Sequence, residues 1–158
     1  MRSRSAIPSP AHVLLSLVVV VLGTLVLLPR LGWGQTVSLQ AQVIYATNQP
    51  GGVDSRLGNL AAELQKSLPY KTYQLLDSPR GSAALNQSWR TGLPDNRSLE
   101  ITPTAIQEGQ YSVTVRVLGS GGQQLVNTVV RLRRGSTFLI SKGTPHRDGV
   151  LIIAISAS

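Results

Sequence analysis

The chain has 158 residues, 42% hydrophobic and 14% charged, with 15 basic against 7 acidic side chains and no cysteine. That length bounds it to one modest domain and excludes a large multidomain enzyme, while periodic apolar runs and sparse charge exclude a wholly disordered chain. The lack of cysteine removes disulfides, lipid-modified cysteine, thiolate metal sites, iron–sulfur clusters and cysteine nucleophiles together.

Residues 1–34 read as a targeting segment and are set apart from the domain at 35–158. Arg2 and Arg4 precede an uncharged run from Val13 to Leu28, which as a helix spans ~24 Å at ~1.5 Å per residue. Pro29 stops that helix, and Gly32 and Gly34 put small residues where a signal peptidase inspects its substrate, leaving Gln35 as the new N-terminus. The alternative is an uncleaved transmembrane helix anchoring the chain in the inner membrane. Either way the bulk of the chain is expected to be exported, periplasmic or elsewhere in the cell envelope. Ser3 separates Arg2 from Arg4, so the general secretory route is expected.

From Gln35 the period becomes two. Val37, Leu39, Ala41, Val43 and Tyr45 share one face, and Ser38, Gln40 and Gln42 the other, which predicts a strand. Asn48–Gly52 breaks it, and Asp54 is placed to cap a helix with Leu57, Leu60, Ala61, Leu64 and Leu68 on one stripe, ended by Pro69. Tyr70–Leu76 offers a second strand, with a parallel pairing to the first open to it.

Beyond this the chain reads as short strands and turns. Ser78–Gly81 is a turn, Ala83–Arg90 an extended stretch, Leu93–Arg97 a turn, and Ser98–Thr102 a strand that Pro103 either closes or marks as an edge. Tyr111, Val113, Val115 and Val117 alternate with polar residues, and Gly119–Gly122 leads into Gln123–Arg133, which predicts a hairpin. Phe138–Ile140 is another short strand. Val150–Ile155, apolar at every position, is expected centrally in the sheet with both faces covered. The fold class is therefore α+β: one domain, a mostly antiparallel sheet of short strands and one amphipathic helix after the first strand, preceded by the N-terminal hydrophobic helix.

Catalytic constellations are sparse. His146 is the single histidine after Gln35, in a loop with Asp148 and between Pro145 and Gly149. A metal site needs more ligands than this pair supplies, and a hydrolase triad of Ser136 or Ser141 with His146 and Asp148 lacks the Gly-x-Ser-x-Gly elbow, so His146 is expected to be a solvated turn residue with few partners. The glycine pairs read as turns and not phosphate cradles. No catalytic, metal or cofactor-binding residue is assigned, and no cofactor is expected.

Charge is the most distinctive chemical feature. From Gln35 onward 12 basic residues face 7 acidic ones, and Arg131, Arg133, Arg134, Lys142 and Arg147 concentrate in the C-terminal third as a candidate anion-binding face. Arg131 and Arg133 alternate with Val130 and Leu132. For an exported chain without an aromatic stacking platform, nucleic acid is not the expected partner; anionic lipid head groups, lipopolysaccharide or an acidic envelope protein fit better. The competing reading is a solvated strand face whose arginines guard the edge against pairing.

The stretch from Asn127 to Gly143, a strand, a Gly135-Ser136-Thr137 turn, an apolar strand and a closing glycine, resembles the end of the secretin core, although Ser141-Lys142-Gly143 stands where secretins carry adjacent glycines. The strand–helix–strand containing Leu57-Gly58-Asn59-Leu60-Ala61-Ala62-Glu63-Leu64 is similar to secretin periplasmic ring domains. The outline of Val43–Asn48, Asp54, Tyr70–Leu76 and Gly149–Ala157 also resembles small exported bacterial proteins of unknown function. These resemblances imply an envelope-associated binding or assembly module that contacts an anionic envelope component or a secretion-type complex. A small periplasmic hydrolase using the His146 loop and a structural subunit pairing through strand edges are the alternatives.

Overall fold

The alternation after Gln35 produces the first long strand of the computed structural model, which describes residues 34–141 and 144–158. Strand β1 (Thr36–Thr47) buries Val37, Leu39, Ala41 and Val43 on one face and, in its second half, Ile44 and Ala46 on the other. The polar-to-apolar change on that second face, from Ser38 and Gln40 to Ile44 and Ala46, marks where the helical layer begins. Asp54 caps a single 3-10 turn, Ser55–Leu57, by accepting from the Arg56 N–H; Gly58 at φ 53° ends it, and helix α1 follows at Leu60–Ser67. Leu57, Leu60 and Leu64 lie against Ile44, Ala46, Ile152 and Ala154.

Strand β2 (Thr72–Asp77) pairs with β1 antiparallel, Thr47 opposite Thr72, which corrects the parallel pairing the sequence left open. The cause is length: α1 is only 8 residues, about 12 Å at ~1.5 Å per residue, too short to carry the chain back along β1. Pro79 then interrupts the edge, its carbonyl accepting from the Ala41 N–H at 3.0 Å, and β3 (Arg80–Ala84) pairs with the other half of β1.

The expected extended stretch Ala83–Arg90 is two strands in two sheets. Asn86 adopts φ 62° and donates its N–H to the Pro103 carbonyl at 2.7 Å, and the chain crosses from β3 to β4 (Trp89–Leu93). Strands β5 (Arg97–Gln107), β6 (Gln110–Leu118) and β7 (Gln124–Arg133) follow as an antiparallel meander in the order β4-β5-β6-β7. Pro103 does not close β5. It sits at a bulge between Pro103 and Ala105, where its missing N–H is tolerated.

Strands β8 (Thr137–Ile140) and β9 (Pro145–His146) flank β10 (Gly149–Ala157), which pairs with β1 on its other side. β10 is central, as its apolar run predicts: Leu151, Ile153 and Ile155 enter the core between the sheets and Ile152 and Ala154 lie under α1. The described residues thus form three layers, α1 on a six-stranded sheet packed on a four-stranded one. The mostly antiparallel character and the one helix after the first strand follow the sequence reading, with two packed sheets where it describes one. The N-terminal hydrophobic helix lies outside the described residues. Among those described, no helix is long and apolar enough to cross a membrane.

Candidate functional site

The period-two pattern of β6 and β7 sorts their side chains onto the two faces of the four-stranded sheet. Val113, Val115, Val117, Val130 and Leu132 fill the core. Arg131 and Arg133 are exposed on the outer face, opposite Ser112 and Gln110, and Val129 beside them is 68% exposed opposite Thr114. Two further arginines on this sheet share one carboxylate: Arg90 and Arg116 flank Glu100 from neighbouring strands, with Arg90 Nε donating to Glu100 Oε2 at 2.5 Å and Arg116 Nη1 to Oε1 at 3.4 Å. Glu100 is 5% exposed beneath them. Two cations share one carboxylate there, so the row keeps a positive charge, and among the described residues no ion pair involves Arg131 or Arg133. Positive potential therefore accumulates toward β7.

The other residues of the sequence-predicted face are placed elsewhere. Arg134 is in the turn after β7, its N–H donating to the Gly109 carbonyl at 2.9 Å and its Nη2 reaching the Tyr111 hydroxyl at 3.4 Å. Arg147 occupies the β9–β10 turn at φ 50°, its guanidinium 5.8 Å from the centre of the Tyr45 ring. Because Thr137, just after the Arg134 turn, pairs with Ser156 at the far end of β10, Arg134 and Arg147 lie at opposite ends of that strand. Lys142 lies outside the described residues. The structure brings Arg131 and Arg133 together, sets Arg134 at their margin, and separates Arg147.

The histidine loop departs from the sequence reading. His146 is 6% exposed, not solvated, and its Nδ1 lies 2.6 Å from Oδ2 of Asp95, in the β4–β5 turn of the opposite sheet. A carboxylate only accepts, so the ring carries its proton on Nδ1. Arg97 Nη2 donates to the Pro145 carbonyl at 2.5 Å and stands 3.4 Å from Asp95, and the Tyr45 ring meets the imidazole edge-on at 5.5 Å. Asp148 is held apart from the histidine by the Tyr45 and Thr47 hydroxyls, both donating to it.

These contacts join the ends of β1, β4, β5 and β9 into a clasp between the sheets. The His146 hydrogen bond holds the Asp95 carboxyl below the usual carboxylate range, and the Tyr45 hydroxyl does the same for Asp148. Reciprocally, the bond to Asp148 raises Tyr45. None of the three triad partners the sequence offered is bonded to the ring: Asp148 accepts from Tyr45, the Ser136 hydroxyl donates to the Arg133 carbonyl at 2.8 Å in the β7–β8 turn, and the ring's side-chain partner among the described residues is Asp95 and not Ser141. Among the described residues no three acidic or histidine side chains are grouped to hold a metal ion.

Asp95 is the residue that sequence reasoning missed. Pro94-Asp95-Asn96 reads correctly as a turn, with Asp95 and Asn96 at φ 62° and 55°, but nothing local connects it to a histidine 51 positions away. Compared with known proteins, the chain matches no family model, no curated protein and no solved structure.

Proposed function

We propose that the protein is an exported, envelope-associated binding or assembly module that works by contact and not by catalysis. Its contact surface is the outer face of the four-stranded sheet, directed at an anionic envelope component or at a secretion-type complex. The observation that carries this reading is the pair Arg131 and Arg133: exposed, on one face, and without a carboxylate partner among the described residues, beside two arginines that share Glu100. Export rests on the sequence of residues 1–34, with its basic start, apolar run and small residues before Gln35. The hydrolase alternative lacks a nucleophile: His146 and Asp95 pair as a histidine and carboxylate, but the ring is buried and no serine hydroxyl is bonded to it among the described residues.

Cosedimentation of the full chain with anionic and with neutral vesicles, at low and high salt, tests the reading. The neutral vesicles measure whatever the apolar N-terminal run contributes. Excess binding to the anionic vesicles is expected to fall by more than about thirtyfold in Arg131→Glu/Arg133→Glu, since each basic residue near an anionic surface contributes about fivefold, at ~1 kcal/mol, and reversal adds repulsion to the loss of both. It is also expected to weaken as salt shortens the Debye length. Equal binding by the wild type and the double variant leaves these arginines as solvated surface and overturns the proposal.

A further inference from the structure

The backbone of β7 adds an observation that charge alone does not explain. β7 is an edge strand, hydrogen-bonded only to β6. The bond from the Arg134 N–H to the Gly109 carbonyl fixes the alternation along the hairpin: Thr128, Val130 and Leu132 turn their N–H and C=O groups to β6, and Asn127, Val129, Arg131 and Arg133 turn theirs outward. At Arg133 both outward groups are already used, the N–H by Ser136 Oγ at 3.0 Å and the C=O by the Ser136 N–H at 3.0 Å. Asn127, Val129 and Arg131 have no such cover among the described residues, and no proline or bulge interrupts the strand between them. An uninterrupted edge of this kind is a template for another strand.

We infer that β7 takes up an extended acidic segment of a partner protein as a fifth strand of this sheet. The inference rests on the proposed contact face and names the partner chemistry for it. Each outward residue can exchange two hydrogen bonds with an antiparallel partner, so Asn127, Val129 and Arg131 together offer six groups. Side chains then specify the sequence. Positions of the incoming strand opposite Arg131 and Arg133 are two apart on the outer face and call for Asp or Glu, while the positions that alternate with them fall on the core side beside Val130 and Leu132 and call for apolar residues. A lipid head group would satisfy the guanidinium groups but leave the row of backbone groups unused. A second copy pairing symmetrically about Val129 would set Arg131 against Asn127 and bring no carboxylate to either arginine, between chains that each carry a net charge of +8.

The test uses the full chain and two synthetic ten-residue peptides with blocked ends, one alternating Glu with Val and Thr, the other of the same composition with its glutamates in one block. The alternating peptide is expected to bind saturably and to slow amide hydrogen exchange at Asn127, Val129 and Arg131 at least tenfold, with Val130 unchanged because its N–H already faces β6. Val129→Pro removes an outward N–H at an edge position where proline is tolerated. It is expected to abolish peptide binding while keeping the excess of anionic over neutral vesicle binding. If that variant does not fold, the exchange pattern of the wild type and a peptide N-methylated at the residues facing β7 decide in its place, the methylated peptide being expected not to bind. Equal binding of both peptides without exchange protection overturns strand addition in favour of charge alone. Vesicle binding without peptide binding overturns it while leaving the contact face standing. Failure of both overturns both, and concentration-dependent protection of β7 without peptide assigns the edge to a second copy instead.

Discussion

Replacing His146 with alanine tests the clasp, because the sequence and the structure predict opposite outcomes. A solvated loop histidine costs the fold almost nothing, within about 0.5 kcal/mol. The buried ring instead loses three things on truncation: the Nδ1–H bond to Asp95 at 2.6 Å, the edge-on contact with Tyr45 at 5.5 Å, and the volume it fills between the sheets. A charge-assisted hydrogen bond, an aromatic contact and a partly relaxed cavity together come to about 2–3 kcal/mol. For a unit of this size that is a fall in melting temperature of roughly 6–15 °C, measurable by calorimetry at pH 7. Asp95→Asn, which keeps the shape of the turn, is expected to lose less, and the double variant less than the sum of the single ones, because both changes remove the same bond. A His146→Ala protein that melts within about 1 °C of the wild type would refute the clasp, as its ring would then contribute no more than an exposed side chain.

Four further outcomes follow from the structure. Asp54, held down by its hydrogen bonds from Arg56, together with Asp95 and Asp148, has a folded-state pKa below its unfolded value, so their contribution is present above about pH 4 and lost as pH falls through the folded values; thermal scans are expected to be flat from about pH 5 to 8 and to drop in acid. Tyr45, raised by the bond to Asp148, and Tyr73, raised by burial, set the opposite limb, with stability present below about pH 10 and lost above it. Gly149→Ala drives its new Cβ into the Ala46 carbonyl of the paired strand and is expected to cost about 3 kcal/mol or prevent folding, read from urea unfolding. Glu100→Gln leaves Arg90 and Arg116 without their shared carboxylate, and is expected both to lower stability and to tighten binding to anionic vesicles, since the face gains one positive charge.

What was legible in the sequence was the local pattern. The alternation of β1 and of the β6–β7 hairpin, the central position of the apolar run in β10, and the outward direction of Arg131 and Arg133 all follow from a period of two and hold in the structure. What was not legible depends on contacts between distant parts of the chain. The antiparallel return of β2 follows from the shortness of α1, the passage from β3 to β4 turns on one residue, Asn86, and the persistence of β5 through Pro103 needs a bulge that accommodates it. The basic residues illustrate the same division. Arg131 and Arg133 share a face because they are two apart on one strand, whereas Arg147 is close in sequence but belongs to the six-stranded sheet, at the end of β10 far from the β7–β8 turn. His146 looked solvated because its partner belongs to a turn in another sheet, and only the packing of the two sheets brings Asp95 to it.

The central claim is that the outer face at β7 meets an envelope component, and photo-crosslinking in intact cells tests it most directly. A photoreactive amino acid at Val129, exposed on the outer face beside Arg131, is compared with the same probe at Gln65, exposed on α1. A discrete crosslinked species in the envelope fraction is expected from position 129 and not from 65, and it is expected to disappear when Arg131 and Arg133 are changed to Glu. The same species from both positions, or one from 129 that survives the charge reversal, would contradict the account.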